Sequence, residues 1–568
     1  MTTDRYEDVI TRAYAAILLL VGAILYLSLG YTEMAGSDLW WHIAAGRELF
    51  QTGTPWMVDD WSYTARGQDW LNHEWLSDIL FFAWVDIFGL HSLVYWKWLV
   101  VILAYGLLQW TLWRRTGNAL AALFTAGMAA MVAAPFIDMR PHLYTLLCYS
   151  ILLALAWQRR PARWTLALLF LVWVNLHGGF FFGLMALGIL VFPWREFSLV
   201  NLRGAVITGL ICVAVATLNP SGLKTFLYPL IYAFDESSPY RDLAEWQPPF
   251  APGGIRSPLF FVLMWFPLAG ALYLVPAVRR ITGIPWEALA LTLLTLAMAV
   301  TSRRFIPIYG MSLALLLTPL LALGLGVIRT RALQWLLATL LLLYVIMRAQ
   351  PYPLQAAPAF HYLTAEYSYP ADTVDMLLQN GVEGDVFALY NWGGFLHWRS
   401  DGQLRVYIDG RADTVYDAPT YLSYKRVLAS RPGWIGLVER SGADYFLWPF
   451  GKGNGRQKQQ ELLATGRWTL IYEDSVSWLA ARKEAAARTQ WRPPAPSPLR
   501  SLSRAHFEAR QGEVATARAL LREVRAVMPW QQRACQWETS LLRQLGAADE
   551  AERVLADCLG YFPTRYLR

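Results

Sequence analysis

The stretch AAILLLVGAILYLSLGYTEMAGSDLWWHIAAGRELF, residues 15–50, decides how the chain is read. Its first part, 15–31, is an apolar run long enough to cross a bilayer. It is longer than the core of a signal peptide and has no small-x-small cleavage pattern, so it reads as a retained span. Just past it, Asp38 and His42 stand four residues apart on a short helical pattern, with Trp40 and Trp41 between them. A carboxylate and an imidazole one turn apart at the mouth of a span raise the question of chemistry at the membrane surface.

Composition frames the answer. The 568 residues are 56% hydrophobic and 16% charged, with 28 Trp, a balance that excludes an ordinary soluble enzyme of this length. The net charge of +7 does not point to nucleic acid, because the basic residues cluster at the ends of apolar runs. Eleven such runs stand near 14–31, 91–113, 118–136, 141–157, 164–176, 178–194, 203–218, 257–278, 284–301, 305–325 and 332–349. The segment 164–194 is too long for one span and has basic residues at both ends, so it reads as two short helices meeting at Asn175–Gly179. Arg5, Arg12, Arg114, Arg115, Arg159, Arg160, Arg163, Arg195, Arg203, Arg279, Arg280, Arg329 and Arg331 then mark one side. The positive-inside rule makes that side the cytoplasm, with the N terminus there and everything after Pro351 outside.

The outer side has a different character. His42, His73, His91, His142 and His177 all fall there, with Asp38, Asp59, Asp60, Glu74 and Asp138. A loop carboxylate is commonly just solvated, and an interfacial histidine is commonly a hydrogen-bonded anchor. The shared bias of ten such groups is what suggests a polar cavity. Two outer sites carry positive charge against the topology rule: TSRRFIPIYG with Arg303 and Arg304, and IDMRPHLYT with Arg140. Arginine suits bidentate contacts to phosphate, in a lipid headgroup or a lipid-linked sugar, and snorkelling to ordinary lipid is the plain alternative. Lys224, in NPSGLKTF, is a weaker case of the same kind.

The first outer loop, 34–90, contains two amphipathic patterns, HIAAGRELF and EWLSDILFFAWVDIFG, expected to lie at the interface around an ordered Pro-, Gly- and Asp-containing loop. Beyond Pro351 the composition is that of a soluble domain. DVFALY (385–390), LRVYIDG (404–410), DYFLWPF (444–450) and WTLIYED (468–474) read as strands, and 373–381, 420–430 and 457–465 as helices, giving a small α/β domain over 351–484. Asp409, Arg411 and Asp413 fall at a strand end, as a ligand site or as a turn held by internal salt bridges. NWGG (391–394) reads as a turn able to approach a ligand closely.

A Pro-rich linker, 485–500, precedes an internal repeat over 501–568. Gly512 and Gly546, Ala517 and Ala551, and Pro529 and Pro563 are each 34 residues apart, the tetratricopeptide period. Cys535 and Cys558 lie 11 residues before and 12 after Gly546, so antiparallel helices meeting there bring them opposite one another as a disulfide pair in an oxidising compartment. Two buried thiols are the alternative. Cys148 and Cys212 lie inside spans and read as small apolar residues.

The early acidic residue after a first span, the loop with two juxtamembrane helices, the many spans and the outer soluble domain resemble GT-C-type membrane glycosyltransferases. Protein O-mannosyltransferases, aminoarabinose transferases and oligosaccharyltransferase catalytic subunits are of this type. More narrowly, SDLWWHIAAGREL, WSYTARGQDWLNHEWL, NLHGGFFFG, RRFIPIYG and NWGGFLHWRSDGQLRVYIDGRAD resemble a family of bacterial membrane proteins known only by the general description of glycosyltransferases. The resemblance implies a polytopic helical enzyme of the bacterial inner membrane that takes sugar from a polyprenyl-phosphate or pyrophosphate donor. The acceptor would be an envelope glycan, lipid or protein. It implies catalytic work for Asp38, as base or metal holder, with His42, His73 and Glu74 beside it, and donor-phosphate binding by Arg140, His142, His177, Lys224, Arg303 and Arg304. A divalent metal is left open, since no tight ligand motif such as HExxH occurs. The helical repeats would offer a protein-docking surface or a stabilising cap. A polysaccharide polymerase or ligase, a transporter and a non-catalytic envelope scaffold are the competing classes. A transporter should carry ionisable groups deep in its spans, and Glu287 is the main candidate here.

Overall fold

The computed structural model describes every residue except 1, 32–37, 157–161, 235–237, 327–329, 351–353, 358, 361–368, 451–453 and 562–568. Arg159, Arg160, Arg329 and Pro563, used above, lie outside the described residues. The chain divides into two compact units: one comprises 1–34, 73–77 and 94–350, the other 35–72, 78–93 and 351–568.

The helices run in chain order as α1 (Thr2–Leu29), α2 (Asp38–Thr52), α3 (Trp75–Phe88), α4 (Leu93–Thr116), α5 (Ala119–Ala133), α6 (His142–Ala156), α7 (Arg163–Leu176), α8 (Phe180–Val191), α9 (Leu199–Val215) and α10 (Leu223–Phe234). Then come α11 (Pro258–Leu263), α12 (Pro276–Thr282), α13 (Trp286–Thr301), α14 (Ile306–Leu325) and α15 (Arg331–Ala349). Among the described residues, five helices are long and apolar enough to cross a membrane: Thr11–Leu29, Leu90–Thr116, Ala119–Phe136, Arg303–Leu325 and Arg331–Ala349. Shorter apolar helices of 10–17 residues fill much of the rest.

One expected span is broken. The run 257–278 forms α11, a 3-10 stretch Phe266–Leu274 and α12, with a bend of 94°. Pro267 and Pro276 remove backbone donors there, so the apolar run cannot continue as one helix. The other ten runs are each helical. Close packing in the first unit rests on small residues. α5 packs against α14, where a Cβ on Gly310 would come within 2.4 Å of Val132. Thr125 and Thr318 join the two helices by a buried hydroxyl pair at 2.8 Å.

The second unit holds a hairpin of β1 (Met57–Val58) and β2 (Asp69–Trp70), and a five-stranded sheet. The sheet strands are β3 (Gly384–Ala388), β4 (Leu404–Val406), β5 (Tyr445–Pro449), β6 (Trp468–Glu473) and β7 (Ser477–Arg482), in the order β4-β3-β5-β7-β6. β3 is parallel to β4 and β5, whereas β7 is antiparallel to β5 and β6. Strand β7, SWLAAR, has no strand-like pattern, but it is buried between two partners and tertiary pairing overrides its propensity.

The segment 57–70 groups with this sheet. Val406 N donates to Trp61 O at 3.0 Å, and Thr64 Oγ1 donates to Tyr407 O at 2.6 Å. Helix α2 differs from the expected half-exposed helix, since Leu39 through Gly46 are all buried. Glycine makes this possible: a Cβ on Gly46 would come within 2.0 Å of Asp78 O, and one on Gly394 within 2.8 Å of Trp41 Cβ. NWGG is thus not an open turn: Asn391 and Trp392 end the 3-10 turn Tyr390–Trp392, and Gly393 and Gly394 begin helix Gly393–Arg399, packed on α2.

After the short helix Lys483–Ala487, four longer helices follow among the described residues: Pro498–Arg510, Val514–Val527, Gln532–Gln544 and Ala548–Tyr561. Gly512 and Gly546 stand in the turns at φ 86 and 75, where a side chain would be strained. Cys535 and Cys558 form a disulfide with 6.3 Å between Cα atoms, while Cys148 and Cys212 are buried free thiols.

Candidate functional site

The first unit gathers most of the residues singled out by sequence. The turn between α7 and α8, 177–179, presents His177. Its Nδ1 accepts the Gly179 N–H at 2.9 Å and lies 2.8 Å from Thr145 Oγ1, so the ring proton belongs on Nε2. Thr145 Oγ1 in turn accepts from Trp173 Nε1 at 3.1 Å. Gly179 is required for space, since a Cβ there would fall 2.1 Å from Thr145 Oγ1.

His177 Nε2 faces Glu74 Oε1 at 3.5 Å, with His73 Nε2 at 3.8 Å from the same oxygen. Segment 73–77 is fastened alongside by Trp75 Nε1 donating to Asn175 Oδ1 at 2.8 Å and Ser77 Oγ donating to Leu176 O at 2.5 Å. Arg304 Nη2 lies 3.3 Å from His177 Nε2. Two nitrogen donors thus stand side by side near one buried carboxylate.

Glu245, which the sequence reading did not single out, ties the arginines together. Its carboxylate accepts from Arg140 Nη1 at 2.6 Å and from Arg304 Nη1 at 3.4 Å. Burial works to raise the Glu245 pKa, but the charges of Arg304 and Arg140 outweigh it and hold it at about 2. Arg140 is also 3.1 Å from Asp138 Oδ2, and His142 Nε2 sits between Asp138 Oδ1 at 3.4 Å and Phe136 O at 2.8 Å. Arg140 and His142 are therefore engaged with their own loop and support the cluster from behind. Arg304 remains about a third exposed, stacked over Trp246 at 4.7 Å.

Arg303 departs from expectation. It is 1% exposed, and its three nitrogens donate to the carbonyls of Gln247, Gly253, Ile255, Pro248 and Ala251. That geometry pins the 247–255 loop and leaves nothing to offer a phosphate. Lys224 is exposed at the start of α10.

The second unit holds Asp38 and His42. Asp38 opens α2, half-buried, where the helix N-terminus favours a negative charge. A Cβ on Gly410 would sit 2.8 Å from Asp38 Oδ1 and 2.9 Å from Trp41 Nε1, so the glycine lets the loop come down on both. His42 is 1% exposed, and its Nδ1 bonds Asp78 Oδ1 at 2.5 Å; Asp78 also accepts from Asn72 Nδ2 at 2.8 Å. His42 is thus a positioning residue that locks α2 to α3. Asp409 and Arg411 form a buried lock as well, described below, and so fit the internal-salt-bridge reading. Among the described residues no three His, Cys, Asp and Glu side chains are grouped to hold a metal ion.

No protein-family model matches the chain, and no curated protein matches it. Among solved structures it is similar to the Archaeoglobus fulgidus oligosaccharyltransferase in its apo form, with 14% identity and a TM-score of 0.52 over 86% of this chain and 76% of that one. The fold is of the GT-C type. ArnT from Cupriavidus metallidurans, in its apo state, is a second likeness at 15% identity and a TM-score of 0.47, covering 84% of this chain and 98% of that one. At 14% identity the first likeness concerns the fold alone, and the five long apolar helices make it that of a multi-pass membrane protein.

Proposed function

We propose that the chain is a membrane glycosyltransferase that moves a sugar from a polyprenyl-phosphate-linked donor to an acceptor on the extracytoplasmic face of the inner membrane. The observation that carries this reading is the convergence of His177 Nε2–H and the Arg304 guanidinium beside Glu74. Two adjacent donors, one of them a planar cation with spare N–H groups, suit the oxygens of a phosphate. Glu245 keeps Arg304 aimed without closing it off, because their contact is long, at 3.4 Å.

In this reading an acceptor oxygen attacks the anomeric carbon as the bond from that carbon to the phosphate oxygen breaks. The bonding electrons leave on the phosphate, where Arg304 and His177 stabilise the developing charge. The acceptor proton passes to a carboxylate, and Asp38 is assigned that role. Glu74 and His73 orient His177, Arg140 holds Glu245, and His42 holds α2. The described carboxylates and imidazoles make no metal cage, so no step is routed through a metal. Glu287 lies 3.8 Å from Arg195 near the start of α13, which fits an end-of-helix ion pair.

Arg304→Ala is expected to raise the donor concentration needed for half-maximal transfer by roughly 10- to 100-fold, the worth of charge-assisted bonds to phosphate. The thermal midpoint should fall only modestly, because the side chain is partly exposed and Arg140 stays paired with Glu245. Titration of the purified variant with a polyprenyl-phosphate sugar checks this. An unchanged donor dependence would remove Arg304 from the site.

A further inference from the structure

A cavity of about 340 Å³ opens on the second unit, lined by Arg47, Glu48 and Gln51 of α2, by Asp60, and by His397 and Asp401. The volume lies in the small-molecule range. Every one of these side chains is polar, which leaves a lipid tail or a flat aromatic ligand without apolar surface to bury.

The floor is built in advance. Glu48 Oε1 accepts from Trp61 Nε1 at 2.5 Å and lies 3.2 Å from His397 Nε2. The His397 ring stacks on Trp61 with 4.0 Å between centroids and 17° between planes, and the residue is 4% exposed. Its Nδ1 is buried with no hydrogen-bond partner among the described residues, so the proton sits on Nε2 and is donated to Glu48. At the rim, Arg47 Nη1 is held 2.9 Å from Asp401 Oδ1. The chain turns back at Gly402, φ 80, where a Cβ would lie 3.5 Å from His397 Cε1. Groups already fixed in place lose little entropy when a ligand arrives.

Charge selects the ligand class. Glu48, Asp60 and Asp401 outnumber the single guanidinium of Arg47, so a phosphate or carboxylate is repelled. A hydroxyl-rich ligand meets no such barrier. Carboxylates accept from hydroxyls, while the Gln51 amide and the Arg47 guanidinium donate to them, and such planar groups can bond two neighbouring hydroxyls at once. We propose that this cavity binds a sugar unit of a glycan. Its role as a grip on the acceptor chain rests on the transfer proposed above, but the binding itself does not.

The test is saturation-transfer NMR on the full chain in a sugar-free detergent, with no donor added. The probes are glucose, galactose, mannose, N-acetylglucosamine and glucosamine, and putrescine serves as a cation without hydroxyls. At least one sugar should receive saturation, and the double variant Gln51→Ala with Asp401→Ala should weaken its binding about tenfold or more. Both substituted side chains are exposed, so the fold should survive. No binding by any sugar, unchanged binding in the double variant, or putrescine binding as well as the sugars would each overturn the assignment. Because no transfer is measured, sugar binding in a chain that transfers nothing would leave this site standing and remove only the acceptor role.

Discussion

Arg411→Ala is expected to destabilise the second unit by about 3–5 kcal/mol, the usual cost of breaking a buried ion pair from one side. Arg411 is 2% exposed. Its Nη2 lies 2.8 Å from Asp409 Oδ2 and 2.6 Å from Asp59 Oδ1, and its Nε donates to Asp409 Oδ1 at 2.9 Å. Tyr416 Oη donates to Asp409 Oδ2 at 2.9 Å, and the guanidinium rides over Trp61 at 4.2 Å and Trp70 at 4.9 Å. Alanine would leave two carboxylates buried without a cation, in a unit whose total stability is on the order of 5–15 kcal/mol. Burial works to raise the Asp409 pKa, but the Arg411 charge outweighs it and holds the carboxyl below its usual value. A carboxyl depressed in the folded state stabilises above its unfolded pKa. That contribution disappears as the pH falls through the lower folded value. Protease resistance of the full chain during a denaturant titration reads this out. Arg411→Ala should lose it at clearly lower denaturant and show less acid sensitivity than the parent, whereas an unshifted transition would contradict the lock.

Asp38→Asn is expected to lower the turnover of sugar transfer roughly 10²- to 10⁴-fold, the range for removing a general base. The amide keeps the size of the carboxylate, so donor affinity and folding should hold. The split between turnover and affinity is what marks a proton acceptor, as opposed to a residue that only holds the helix. Arg304→Ala should show the opposite split. If Asp38→Asn transfers sugar within about twofold of the parent rate, another carboxylate takes the proton.

Much of the architecture was legible because hydrophobic length and strand patterning are local signals. The runs that became α1, α4, α5, α14 and α15, and the strands β3 to β6, could all be read this way. The disulfide was legible from its spacing about Gly546. The break in 257–278 was less so, since its apolar composition conceals three prolines whose effect is on the backbone. Arg303 and Arg304 illustrate the limit at the site. A topology rule counts the two charges alike, but in the short turn Arg303–Phe305 one side chain enters a ring of carbonyls and its neighbour faces Glu245 and His177. Glu245 and Asp78 escaped notice because a loop or helix carboxylate is solvated by default, and only the fold reveals which cation it meets. His42 was legible as a conspicuous residue, but its partner, 36 positions away, was not.

The most direct measurement is mass spectrometry of lipid-linked sugars and envelope glycans in a strain lacking this chain, complemented in turn with the parent, Asp38→Asn and Arg304→Ala. Lipid-dependent glycosyl transfer predicts that a polyprenyl-phosphate-linked sugar accumulates in the deletion while one glycan loses the matching residue. The parent should reverse both changes, and neither variant should. Unaltered lipid-linked sugars and glycans in the deletion, or full reversal by both variants, would contradict it.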